Sequence, residues 1–168
     1  MMPKGMTVKI KGTNLSTMME GGTVDGMEML HRDGQPAVRI NRKDKTYSKI
    51  PEAPEGKQPE VTVVKTSETA KIVGYTCQKY QVTIKDQGQS ITQFMWTTSE
   101  IKDVDMKAMA RQRNTQGRPI FYEKVEGFPL RIEVSVPQGS VMMEVQELKR
   151  EKLLDSQFSI PEGFKEVN

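Results

Sequence analysis

Thiol and imidazole groups are almost absent from this sequence. Its 168 residues include one cysteine, Cys77, and one histidine, His31. A single thiol excludes an internal disulfide framework and any zinc site built on several thiolates. A single imidazole excludes metal centres with two or three histidines and leaves one candidate histidine base. Motifs typical of phosphate-binding loops, zinc proteases and serine hydrolases are also missing. We therefore predict a protein that is not an enzyme, with no cofactor and no metal.

Apolar residues that favour helices are scarce as well. The chain has 6 Leu and 5 Ala, against 15 Val, 10 Ile and 14 Thr. Because β-branched side chains suit a pleated sheet better than a helix, this composition predicts a mostly β protein. No apolar stretch approaches the ~20 residues that a membrane-spanning helix needs. The length predicts a single domain over residues 1–168.

Alternating polar and apolar residues, bounded by glycine-containing turns, predict the strands. The predicted strands are 7–11, 15–19, 26–32, 37–41, 46–48, 61–64, 69–73, 75–85, 89–98, 130–136 and 140–149. Residues 51–60 contain three prolines and are predicted to form an exposed loop, since proline cannot donate to a sheet ladder. The helix that the pattern predicts runs from Asp103 to Arg113, with Asp103 as its N-cap. Strands and helices do not alternate, so we expect a mostly antiparallel domain with no βαβ units and no parallel sheet.

Three kinds of residue are candidates for functional sites. His31 is interpreted as a surface or turn histidine and Cys77 as a buried structural thiol, although each is a conceivable catalytic group. The 12 methionines could fill the core, line an adaptable apolar cavity or bind Cu(I). Basic residues in the first third alternate with acids and have few aromatic neighbours, which argues against nucleic-acid binding.

Several short motifs resemble those of a known family. Residues 71–80 read KIVGYTCQKY, and they are followed by Phe94-Met95-Trp96-Thr97-Thr98, Gly127-Phe128-Pro129-Leu130 and the terminal run from Phe158 to Phe164. In this order they resemble an exported bacterial family known as domain of unknown function 4412. The resemblance covers about residues 70–164, and residues 46–51 extend it upstream.

This resemblance carries its own expectations about fold and location. It implies a fold like the lipoprotein carriers of the Lol system, in which a curved antiparallel sheet forms a half-open barrel around a helix. It also implies a periplasmic or outer-membrane-associated protein that is delivered by a signal peptide or a lipoprotein signal. The first residues of this chain have no apolar signal region. We therefore expect the signal, and one or more N-terminal strands, to be missing from it, so that any membrane association is through the removed signal or anchor.

Together these observations predict a non-enzymatic envelope protein that binds a lipid, an acyl chain or an acylated protein. The side chains predicted to line its apolar cavity are Met27, Met29, Tyr80, Phe94, Trp96 and Met143. The alternative is a structural or protein-interaction module whose concave side is filled by its own side chains.

Overall fold

The protein is a mainly β molecule. The structure, a computed structural model, describes residues 4–50, 59–86, 88–104, 124–136 and 139–167. Within these ranges 59% of the residues lie in strands and 6% in helices, which confirms the predicted class. None of the described helices is long and apolar enough to cross a membrane. The chain divides into two compact units; the first contains residues 4–50 and 151–167, and the second contains the described residues from 59 to 150. That residues 1–168 form a single domain stays a prediction.

The strands largely follow the predicted alternation of polar and apolar residues. In chain order the elements are β1 (Gly5–Lys11), β2 (Asn14–Glu20), the 3-10 helix η1 (Gly22–Val24), β3 (Met27–His31), β4 (Val38–Asn41), β5 (Thr46–Lys49), β6 (Glu60–Ile72), β7 (Tyr75–Asp86), β8 (Gln89–Thr98), β9 (Phe128–Val136), β10 (Gly139–Glu144), the 3-10 helix η2 (Asp155–Phe158) and β11 (Lys165–Glu166).

The first unit is built on a six-stranded sheet with the order β1-β2-β3-β4-β5-β11. Strands β1 to β5 form antiparallel hairpins, and Asp33-Gly34 lies in the predicted turn between β3 and β4. Among the described strands the pairing is antiparallel, as predicted for most of the domain, except at one edge, where β11 lies parallel to β5. This pair joins the C-terminal residues to a strand far away in the sequence, so no local turn dictates its direction.

The hydrophobic core of the first unit lies on one face of this sheet. Leu30 and Ile40 are fully buried there and pack with Val38 and Phe158. Around them pack the partly buried side chains of Tyr47, Leu153, Ile160 and Phe164. The terminal run from Phe158 to Phe164 therefore completes the core, and it does so from η2 and the extended residues that follow.

The second unit is a five-stranded sheet with the order β10-β9-β8-β7-β6, in which every neighbouring pair is antiparallel. Strands predicted separately at 61–64 and 69–73 are one strand, β6, whose register with β7 shifts between Lys65 and Thr69. The Gln78 amide of β7 donates to the carbonyls of Thr66 and Glu68 at this bulge. The prediction of two separate strands was wrong because the Gln78 side chain donates hydrogen bonds to the carbonyls of the irregular residues, so that β6 continues through the bulge.

One further boundary differs from the predictions. Strand β10 ends at Glu144, opposite Arg131 of β9, rather than at Lys149. The Val145 N–H just beyond it still donates to the Leu130 carbonyl at 2.8 Å. The described strands form two sheets and not one.

The predicted helix from Asp103 to Arg113 lies outside the described residues, except for Asp103 and Val104, which lie in a bend. The predicted loop 51–60 also lies outside them, except for Pro59 and Glu60.

Candidate functional site

One face of the five-stranded sheet is mostly apolar, with Lys65 and Gln93 as polar members of its rows. The strand registers place Tyr80, Met95, Ile132 and Met143 in one row across β7, β8, β9 and β10. Residues directly opposite each other in antiparallel strands point to the same face, so these side chains are neighbours. The residues of this surface, called the apolar face below, are Val61, Val63, Lys65, Tyr80, Val82, Ile84, Ile91, Gln93, Met95, Ile132, Val134, Val141 and Met143.

The apolar face is buried at its centre and open at its rim. Val82 and Met95 are fully buried, whereas Ile91 and Met143 are 39% and 38% exposed. Burial raises the pKa of the Tyr80 phenol, and the negative charge of Glu126 acts in the same direction. A phenol that ionises less readily is the expected consequence of apolar surroundings. The exposed rim gives this surface apolar area that a ligand could cover.

The opposite face of the same sheet carries aromatic rings beneath cations. The Lys79 ammonium lies 4.4 Å from the ring centre of Phe94 and 4.9 Å from that of Trp96. The guanidinium carbon of Arg131 lies 5.1 Å from the Trp96 ring. Each cation is also paired, since Lys79 contacts Glu68 at 2.6 Å and Arg131 contacts Glu144 at 2.9 Å. The two aromatic rings are therefore already in contact with cations of the protein, and these cations are in turn ion-paired with carboxylates.

Of the six side chains predicted to line one cavity, the four in the second unit do not share one face of its sheet. Tyr80 and Met143 lie on the apolar face, but Phe94 and Trp96 lie on the opposite face of the same sheet. Met27 and Met29 lie in the first unit, on β3. Alternation within each strand was predicted correctly. The registers between strands, which decide which faces meet, cannot be predicted from one strand at a time.

Cys77 and His31 are both buried. Cys77 is 0% exposed, as predicted for a structural thiol, and burial is the main cause that raises its pKa. The prediction of a surface or turn histidine was wrong, because His31 is the last residue of strand β3 and is only 8% exposed. His31 belongs to β3, an interior strand of its sheet, and lies opposite Leu15 of β2, which is fully buried. Within the described part of the chain, no group of three or more His, Cys, Asp or Glu could hold a metal ion.

The Cys77 thiol is expected to react at least about tenfold more slowly with Ellman's reagent at pH 8 in the native protein than in concentrated urea. Only the thiolate attacks the reagent, and burial both raises the pKa of this thiol and blocks access to it. Because the chain has one cysteine, the released chromophore reports Cys77 alone. Equal rates in the native and unfolded states would show that the thiol is accessible and would make Cys77 a candidate nucleophile again.

A cleft in the first unit, lined by both polar and apolar side chains, was not predicted from the sequence. It has a volume of about 420 Å³, and its walls include Lys9, Ser16, Glu28 and Arg42. Glu28 is 2% exposed, although strand residues on either side of it are apolar. A carboxylate between Met27 and Met29 was the available signal, since a charged residue on a buried strand requires a partner.

Comparison with known proteins gives one family and no individual relative. Neither the curated proteins nor the solved structures that were searched contain a match to this chain. A family model described as "Domain of unknown function (DUF4412)" matches residues 4–164. That match includes nearly every element described above, from β1 to Phe164, and extends well upstream of the motifs that first suggested the family. The chain therefore belongs to the family of domain of unknown function 4412.

Proposed function

We propose that this protein is a non-enzymatic component of the bacterial cell envelope that binds a hydrophobic ligand, a lipid or an acyl chain, on the apolar face. The observation that carries the proposal is the in-register cluster of apolar side chains across β7 to β10, with exposed members at Ile91 and Met143. Two polar residues, Lys65 and Gln93, also belong to this face. Exposed apolar patches typically mark a contact surface.

The finer parts of the proposal rest on the resemblance to exported proteins. We propose a periplasmic or outer-membrane-associated location and an arrangement like the carriers of the Lol system, in which a curved sheet surrounds the helix predicted from Asp103 to Arg113. In such a fold the concave side of the sheet is the binding side. The apolar face is the face of the five-stranded sheet suited to that role, because the other face carries ion-paired cations.

Replacing Met143 with glutamate is expected to weaken the binding of N-phenyl-1-naphthylamine, and of palmitate that displaces it, by about tenfold or more. The new carboxylate must either lose its water when the ligand binds or keep the ligand away from the surface. A loss of about 1.4 kcal/mol in binding free energy corresponds to a tenfold weaker affinity. Probe fluorescence measures both affinities.

Met142→Glu is the matched control for this experiment. Met142 is the neighbouring residue of the same strand, is 57% exposed, and points to the opposite face because it pairs with Glu133. The same charge is therefore added there without touching the apolar face. Unchanged affinity in Met142→Glu and weaker affinity in Met143→Glu would support the proposal. Equal effects of the two variants, or no displacement by any lipid, would contradict it.

A protein-interaction module is the second candidate, and one observation favours it. The central side chains Val82 and Met95 have no exposed surface, so the middle of the apolar face is already filled. In that case the rim would contact another envelope protein rather than a lipid. A stable dimer in size-exclusion chromatography that dissociates in Met143→Glu but not in Met142→Glu, together with absent lipid binding, would favour this candidate.

A further inference from the structure

The cleft of the first unit is assembled from three strands, the turn that follows a fourth strand, and η2. Lys9 of β1 lies opposite Ser16 of β2. Glu28 of β3 lies opposite Met18, which makes Ser16 its diagonal neighbour. Arg42 follows β4, and its backbone N–H donates to the carbonyl of Gly26 at 3.1 Å, which holds it beside β3. Ser156 and Gln157 of η2 complete the walls.

Glu28 is the one acid among the described residues of the cleft wall, and both of its carboxylate oxygens already accept hydrogen bonds. The Ser16 hydroxyl donates to Oε1 of Glu28 at 2.7 Å. Arg42 donates to Oε2 of Glu28 twice, from Nε at 2.9 Å and from Nη2 at 2.6 Å. With its side chain 3% exposed, this carboxylate has little surface left to repel an anion or to bind a cation. It acts as the support that orients the arginine.

Hydrogen-bond donors remain in the cleft after these bonds are assigned. The Lys9 ammonium, Nη1 of Arg42, the Ser156 hydroxyl and the Gln157 amide nitrogen have no acceptor within the described part of the chain. The Gln157 amide oxygen accepts from the Leu154 N–H at 2.8 Å, so its nitrogen is the end available to a ligand. Other nearby carboxylates are engaged, since Asp155 pairs with Lys11 at 2.7 Å and Glu20 accepts from Thr7.

We propose that this cleft binds a phosphate ester of a small alcohol. Two cations face one fully bonded carboxylate, which leaves the cleft with a net positive charge and a surplus of donors. Phosphate oxygens accept several hydrogen bonds at once, and an arginine whose orientation is fixed by a carboxylate is well suited to bind them. The volume of about 420 Å³ exceeds what a bare phosphate fills and lies within the range of small-molecule sites.

Titration calorimetry at low ionic strength tests this proposal with three probes, namely inorganic phosphate, glycerol 3-phosphate and dihexanoyl phosphatidic acid below its micelle concentration. We expect glycerol 3-phosphate to bind with a Kd of about 1 mM or tighter. Lys9→Gln should weaken it roughly tenfold, because a charge-assisted hydrogen bond is lost. Lys71→Gln is the matched control, since it removes the same charge from an exposed lysine of the second unit.

The probes also distinguish the source of the phosphate. Binding of glycerol 3-phosphate without the lipid identifies a soluble ester, and binding of both identifies a lipid headgroup as well; either result supports the cleft. No binding of any probe, or an equal loss in Lys9→Gln and Lys71→Gln, would overturn the proposal. Met143→Glu should leave binding of glycerol 3-phosphate unchanged, so failure here is separable from failure of the hydrophobic site.

Discussion

Replacing Arg42 with methionine is expected to lower the free energy of unfolding by about 3 kcal/mol. The substitution leaves the Glu28 carboxylate, whose side chain is 3% exposed, without the two hydrogen bonds that it accepts from the guanidinium. Only the Ser16 hydroxyl would still donate to it. An unpaired buried charge costs more than the pair itself contributes, so the loss should be large. Urea unfolding followed by circular dichroism measures it.

The adjacent lysine supplies the control for this variant. Lys43 is ion-paired with Asp25 at 2.8 Å, but its side chain is 63% exposed and that of Asp25 is 44% exposed. Exposed pairs contribute little, so Lys43→Met should change the stability by less than about 0.5 kcal/mol. The double variant Glu28→Gln/Arg42→Met should be more stable than Arg42→Met alone, because it removes the orphaned charge. If Arg42→Met unfolds at the same urea concentration as Lys43→Met, Glu28 does not depend on Arg42.

Strands and tight turns could be predicted from the sequence because both depend on local patterns. The run from Tyr75 to Lys85 alternates, and the structure places Tyr80, Val82 and Ile84 on one face as the pattern predicts. Gly74 in the turn before it has φ 84°, a conformation that glycine adopts without strain. Neither feature needs information from a distant part of the chain.

What the sequence could not supply was the pairing of distant strands. Strand β5 pairs with the C-terminal β11, and nothing near either segment indicates the other. The same limit affected the candidate site. Trp96 and Tyr80 both belong to alternating runs, but the register sets Tyr80 opposite Met95 and Trp96 opposite Lys79. A shift of one residue would have joined the two rings on one face, as the sequence reasoning assumed.

Three of the motifs that suggested the family have a physical explanation in the structure. Gly74 forms the turn between β6 and β7, and Phe158 and Phe164 close the core of the first unit. Gly127 begins the run Gly127-Phe128-Pro129-Leu130 immediately before β9. The motifs therefore mark positions on which the fold depends, and they do not by themselves indicate a ligand.

Gly127→Ala is expected to destabilise the protein by about 3 kcal/mol. The residue has φ 95°, and a Cβ atom there would lie 2.9 Å from the Thr98 carbonyl oxygen and 3.0 Å from the Thr97 hydroxyl. That hydroxyl cannot move away without cost, because it donates to the Glu126 carbonyl at 2.6 Å. Trp96, the single tryptophan of the chain, lies on β8 in the same unit, so its fluorescence reports the unfolding.

Gly74→Ala separates the collision at Gly127 from backbone strain alone. Gly74 has φ 84°, close to that of Gly127, but a Cβ atom there would meet nothing within 4 Å. Alanine at Gly74 should therefore cost about 1 kcal/mol, the penalty of a left-handed conformation without a steric clash. The difference between the two variants measures the contact of the Gly127 turn with the end of β8. Equal destabilisation would mean that φ alone requires glycine at position 127, and that β8 tolerates a side chain there.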